Sequence, residues 1–238
     1  MPICEKINKC KDKDGHKCYG VLSKKADPLV FNAPGTRKIM ILTQQPNEGG
    51  QAGKANLKIT LRNLLEEKKE QHSQNLAADT TGTLVEYFGY KFVESVVNEG
   101  KMQGEYYWTH FIKCPFVAGI GLNKVCAEEW IAHEIKEKQP TLIVTFGAWS
   151  SNFVLEKAQI RDPWMEYVWE RELSPICQGK EIDLDSLRIN IPTSDGLGNH
   201  ATRLFVMPHP SPRSALGRFL NEKLKPGLQS VVRRATMT

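Results

Sequence analysis

The chain of 238 residues is 40% hydrophobic and 25% charged, with 18 Gly and 13 Pro; this is globular composition at a length suited to one domain that can bury its own core. No apolar run approaches the ~20 residues of a membrane-spanning helix. The opening stretch MPICEKINKCKDKDGHKC lacks the apolar segment of a signal peptide, so the expectation is a cytoplasmic protein without a membrane anchor.

Lys and Arg outnumber Asp and Glu by 32 to 27, a formal charge of +5, which is compatible with a polyanionic partner. The six cysteines are Cys4, Cys10, Cys18, Cys114, Cys126 and Cys177. Without an export signal they are expected to be free or metal-bound rather than paired in disulfides. Three of them crowd into the first 18 residues.

Residues 1–36 contain much Lys, Asp, Gly and Cys and little apolar periodicity, and read as a loop-rich segment that needs an external staple. RKIMILTQQP (37–46) begins with a short apolar run, Ile39 to Leu42, and predicts a buried parallel strand leading into a polar loop. Leu57, Leu61, Leu64 and Leu65 recur at helical spacing in 54–71, and 84–99 is amphipathic despite Gly89. YYWTHFIKCP (106–115) predicts a second strand, and 125–140 a helix ended by Pro140. TLIVTFG (141–147) is the clearest buried strand, followed by a helix over 148–157. The stretch 158–202 is irregular and receives no predicted element. RLFVMPHPSPR (203–213) predicts a strand running into a proline-rich loop, with a last helix over 214–223.

Strands alternating with helices predict an α/β fold, a three-layer α/β/α sandwich around a mostly parallel sheet, in one domain spanning 1–238. Ligands of such sheets bind beyond the carboxyl ends of the strands. Three loops should therefore converge: TQQPNEGG, the segment around His110 and Cys114, and MPHPSPRS.

Taken together these segments resemble the uracil-DNA glycosylase superfamily, in particular its iron–sulfur-containing branch, in order over roughly 37–65, 106–157 and 203–220. TQQPN (Thr43 to Asn47) stands where that branch has a GEAPG-like motif. Thr109 to Cys114 matches TN-x-x-KC except that His110 replaces Asn. Cys126 followed by KQPTLIVTFGAWSSNF matches a helix cysteine and I-x-P-x-I-I-V-x-L-G-x-x-A, and His209-Pro210-Ser211-Pro212 matches HPS or HPA. The stretch of about 70–105 reads as an insertion beside the pocket mouth.

The resemblance implies a sheet of the uracil-DNA glycosylase type, DNA as partner, a monomer, and a [4Fe–4S] cluster on four thiolates. Cys114 and Cys126 match two cluster ligands. Cys10 and Cys18 are the expected others, with Cys4 in reserve and zinc as the alternative metal. Cys177 has no partner in this scheme and is expected to be structural.

A glycosylase flips its target nucleotide from the stack and cleaves the N-glycosidic bond. His209 is similar to the family's stabiliser of the departing base. Ser211, Arg213 and Ser214 follow it and are placed to hold phosphate. The family's catalytic acid is matched by Gln44, which cannot act as a base but can orient water, and Glu48 is the nearest carboxylate. Gln45, Pro46, Asn47 and His110 are the expected base-pocket residues. Asn presents a donor and an acceptor together, whereas neutral His has one of each on different sides of its ring. The departures at Gln44 and His110 therefore point away from plain uracil, towards a modified (hydroxylated or glucosylated) cytosine of phage DNA and a role in antiviral defence. Alternatives are a uracil-DNA glycosylase of base-excision repair, a catalytically silent DNA-binding relative, and a hydrolase of free nucleosides.

Overall fold

The computed structural model describes residues 29–32, 38–43, 105–111, 124–192, 198–209 and 215–235. In chain order they form β1 (Leu29–Asn32), β2 (Lys38–Thr43), β3 (Glu105–His110), α1 (Lys124–Lys138), β4 (Leu142–Phe146), α2 (Ala148–Lys157), α3 (Trp164–Val168), a π-helical turn (Trp169–Leu173), α4 (Ser174–Cys177), β5 (Arg188–Pro192), β6 (Asn199–Met207) and α5 (Ala215–Ala235). The expected helices over 54–71 and 84–99, and the insertion of about 70–105 up to residue 104, lie outside the described residues.

The strands make one six-stranded sheet in the order β1-β3-β2-β4-β6-β5. The four central strands run parallel, and an antiparallel strand closes each edge. Within the parallel part the order is second, first, third, fourth. The chain thus winds outward from β2 to β3 and then reverses through β4 to β6. Such a reversal leaves a crevice at the carboxyl ends of the strands on either side of it, here β2 and β4.

Burial explains why these segments are strands. Ile39, Met40, Ile41 and Leu42 are all buried, as is every residue of β4. Successive side chains alternate between faces, so the sheet is covered on both sides there, as continuous apolar runs in parallel strands require. Ala127, Ile131 and Ile135 of α1, Phe153 and Val154 of α2, and Leu220, Leu224, Leu228 and Val231 of α5 join the same core. Among the described residues no helix is long and apolar enough to cross a membrane.

The segment 1–36, expected to be loop-rich, also contains a strand, Leu29–Asn32, that pairs antiparallel with β3. Two expectations need correction. The last helix does not stop at residue 223: it passes through Pro226 and ends at Ala235, packing Leu228, Val231 and Val232 into the core. Cys177 is expected to be structural, and nothing it packs against among the described residues gives it that role. It is exposed and free at the end of α4.

Candidate functional site

Because β2, β3, β4 and β6 are parallel, their carboxyl ends lie along one edge of the sheet. The register brings Thr43 beside His110, and Phe146 beside Met207. The three expected loops therefore leave from one place. Of their residues, Gln44, Gln45, Pro46, Asn47 and Glu48 lie outside the described residues, as do Ser211, Arg213 and Ser214. So do Cys10, Cys18 and Cys114. The backbone of Cys126 is in the first turn of α1, but its side chain is not among the described ones. Among the described residues no group of His, Cys, Asp and Glu is arranged to hold a metal ion.

Two of the expected site residues, His110 and His209, are described, and each is held by a neighbour on the adjoining strand end. The Thr43 hydroxyl is a hub. Trp108 Nε1 donates to it at 3.1 Å, His110 Nδ1 lies 2.8 Å from it, and Thr109 O is 3.3 Å away. One hydroxyl proton serves these contacts. All three are satisfied at once when it goes to Thr109 O and His110 carries its own proton on Nδ1. His110 is 1% exposed, so this hub holds its ring in place.

His209 stands two residues past the end of β6. Gly147, just past the end of β4, donates its N–H to Met207 O at 2.8 Å and so ties the two chain exits together. Its φ of 89° and ψ of 162° place it in a region of backbone space that is essentially reserved for glycine. The missing side chain is used. A Cβ there would stand 3.3 Å from both Cβ and Cδ2 of His209. The imidazole is thus laid against bare backbone, and burial depresses its pKa below the ordinary histidine value. At neutral pH it is an uncharged ring with one N–H donor and one acceptor.

Helix α2 starts at Ala148, directly after Gly147, so its N-terminus opens onto the same edge. The hydroxyls of Ser150 and Ser151 turn inward to Phe146 O (2.8 Å) and Gly147 O (2.7 Å), and Ser151 also pairs with Thr145 (2.9 Å). They brace the β4–α2 turn. A cleft of about 590 Å³ lined by Asn152, Glu156, Gln159, Arg161 and Asp162 lies towards the other end of α2 and contains none of the expected residues.

One further group has no counterpart among the expected residues. Glu172, on the π-helical turn, is fully buried and accepts the N–H of Val206 at 2.8 Å, three residues before His209. Its only sequence signal is a glutamate inside WMEYVWEREL, which reads as part of a solvated face. Comparison of the chain with protein-family models and with curated proteins finds no match.

Proposed function

We propose that this chain is a DNA glycosylase of the uracil-DNA glycosylase type, which excises a non-standard base and leaves an abasic site. The observation that carries the reading is the pairing of Gly147 with His209 at the carboxyl edge of the parallel sheet. The resemblance at HPSP gives His209 the role of leaving-group stabiliser, and the ends of β2 and β3 lie along the same edge of the sheet. The described topology and the burial of β2 and β4 on both faces accord with a three-layer sandwich of that type.

Hydrolysis of an N-glycosidic bond builds positive charge on the sugar and negative charge on the departing base. A neutral His209 donates a hydrogen bond to that developing anion without first having to lose a proton. Donors held in place where charge develops stabilise a transition state strongly, because they need no reorganisation as the bond breaks. Gln44 or Glu48, just past Thr43, positions the attacking water on the sugar side. Gln45, Pro46 and Asn47 shape the base pocket together with His110, which is buried and held by Thr43. Ser211, Arg213 and Ser214 hold the flanking phosphates.

From Pro208 to Thr238 the chain carries six Lys and Arg against one Glu, a surplus equal to the charge of the whole protein. That concentration directly after His209 supports a polyanionic substrate. The thiolates of Cys10, Cys18, Cys114 and Cys126 would hold a [4Fe–4S] cluster, or zinc, that anchors the N-terminal segment. The target favoured by Gln44 and His110 is a hydroxylated or glucosylated cytosine of phage DNA.

The test is incubation with duplexes that carry uracil, hypoxanthine or glucosylated hydroxymethylcytosine, with mass spectrometry of the released base. Release of the modified cytosine is expected. Release of uracil alone would replace that target with a repair function. Salt-sensitive DNA binding with no base released would mark a silent relative.

A further inference from the structure

Strand β6 has β4 along one side as far as Met207, but β5 accompanies its other side only as far as Arg203. Beyond that point the outward N–H and C=O groups of β6 face no strand among the described residues, and such groups are costly to bury unpaired. Three contacts close the edge. Leu204 N–H donates to Leu187 O at 2.9 Å. The Tyr167 hydroxyl donates to Leu204 O at 2.9 Å, and Val206 N–H donates to Glu172 Oε1 at 2.8 Å. Two side chains of the segment 164–177 thus replace the missing strand.

The second of them is an unusual choice. Glu172 is 0% exposed, and its Oε2 is buried with no hydrogen-bond partner among the described residues. Arg171, its neighbour in sequence, turns away: its guanidinium stacks on the Tyr167 ring at 4.7 Å and donates to Ser186 O at 2.7 Å. Tyr167, close enough to feel the Glu172 charge, is itself kept neutral by burial. An ionised carboxylate with a single hydrogen bond is expensive in such surroundings, and burial pushes the Glu172 carboxyl well above its usual range. It sits, moreover, on a π-helical turn, a rare feature that often marks functional positions.

What this carboxyl holds is the end of β6. Val206 precedes Met207, whose carbonyl accepts the Gly147 N–H, and His209 packs on that same glycine. We propose that Glu172 is a positioning residue for His209: by closing the outer edge of β6 at Val206, it sets where the strand delivers Pro208 and His209 against Gly147. The consequence for catalysis rests on the glycosylase reading; the placement of His209 does not.

The test uses the full chain and follows the His209 ring by NMR titration, beside base-release kinetics. Glu172→Gln keeps the acceptor for Val206 and stays neutral. It should leave the His209 titration unchanged and keep activity within about twofold. Glu172→Met offers no acceptor. It should let the strand end loosen and hydrate, move the His209 titration up towards the ordinary value of about 6.5, and lower kcat about tenfold with less change in KM.

If Glu172→Met does not fold, Glu172→Asp, one methylene too short to reach Val206, must show the same displaced titration. A folded Met or Asp variant with a wild-type His209 titration overturns the proposal, and so does a Gln variant that shifts it as far as Met does. If the titrations shift as stated but the wild type releases no base from any duplex, the glycosylase reading falls and the positioning role stands.

Discussion

Replacing Gly147 by Ala perturbs two things at once. The backbone at φ 89° and ψ 162° is a conformation that residues with a Cβ occupy at a cost on the order of 1–3 kcal/mol. The new Cβ would stand 3.3 Å from two atoms of His209, inside the roughly 3.5–4.0 Å at which carbon atoms pack best. The ring must therefore retreat by a few tenths of an ångström, and it is the softer partner, because Gly147 is pinned through its N–H to Met207 O.

For a domain of this size about 2–4 °C of Tm accompanies each kcal/mol, so Gly147→Ala should melt roughly 5 °C lower. Its His209 should titrate closer to the ordinary histidine value as it gains water. Base release should slow by at least tenfold, given that misplacing a catalytic group by about 1 Å costs on the order of a hundredfold. Thermal unfolding, NMR titration of the ring and single-turnover kinetics read the three effects separately. A variant with unchanged Tm and unchanged His209 titration would refute the claim that this glycine seats the histidine.

Thr43→Val removes the acceptor of Trp108 Nε1 and the partner of His110 Nδ1, and should cost about 1–3 kcal/mol in urea unfolding, whereas Thr43→Ser restores most of it. Glu172→Gln should be more stable than the wild type, by a margin that widens with pH. A buried acid with a raised pKa binds its proton in the folded state but not in the unfolded one, so its penalty grows above the unfolded pKa of about 4.3 by roughly 1.4 kcal/mol per pH unit until the folded pKa is reached; parallel pH–stability curves for the two proteins would contradict this. His209 works in the opposite direction. Its folded pKa is depressed, so stability should decline as pH falls below about 6.5 through the folded value, and His209→Gln should lack that decline. The proposed thiolate quartet predicts a brown protein that absorbs near 400 nm (roughly, for Fe–S charge transfer) and loses its colour on Cys114→Ser or Cys126→Ser; a colourless protein with zinc would replace the proposed cluster by a zinc site.

The elements most legible in the sequence are those whose burial is uniform. IMIL and LIVTF are buried on both faces, so an unbroken apolar run is sufficient to place β2 and β4. The segment 158–202 is not legible, because it is built from helical pieces of four and five residues around a π-helical turn, too short and irregular for a 3.6-residue period. Within it β5 does alternate, with Ile189 and Ile191 inward, but five residues are a weak signal beside acidic neighbours. Helix α5 reads as shorter than it is because Pro226 and Gly227 look like a stop. Pro226 is exposed, and Gly227 fits closely against Ile176 and Ile182, so packing overrides propensity.

The parallel strands bring together the exits that the motif loops are expected to share, and this much of the candidate site is readable from strand order. The contacts that give the histidines their chemistry are not. Thr43 with His110, and Gly147 with His209, are each separated by more than sixty residues of chain, and no local pattern records them. Glu172 is invisible for a different reason: an acid in a charged stretch reads as surface until its burial is known.

The most direct measurement is the rate at which wild type and His209→Leu generate abasic sites in one duplex carrying glucosylated hydroxymethylcytosine, under single-turnover conditions. Loss of the donor to the departing base predicts a slowing of about 10²–10³-fold, with the variant still binding the duplex and folding as the wild type does. Equal rates in the two proteins would contradict a glycosylase centred on His209, and no abasic sites from the wild type would contradict the modified cytosine as its target.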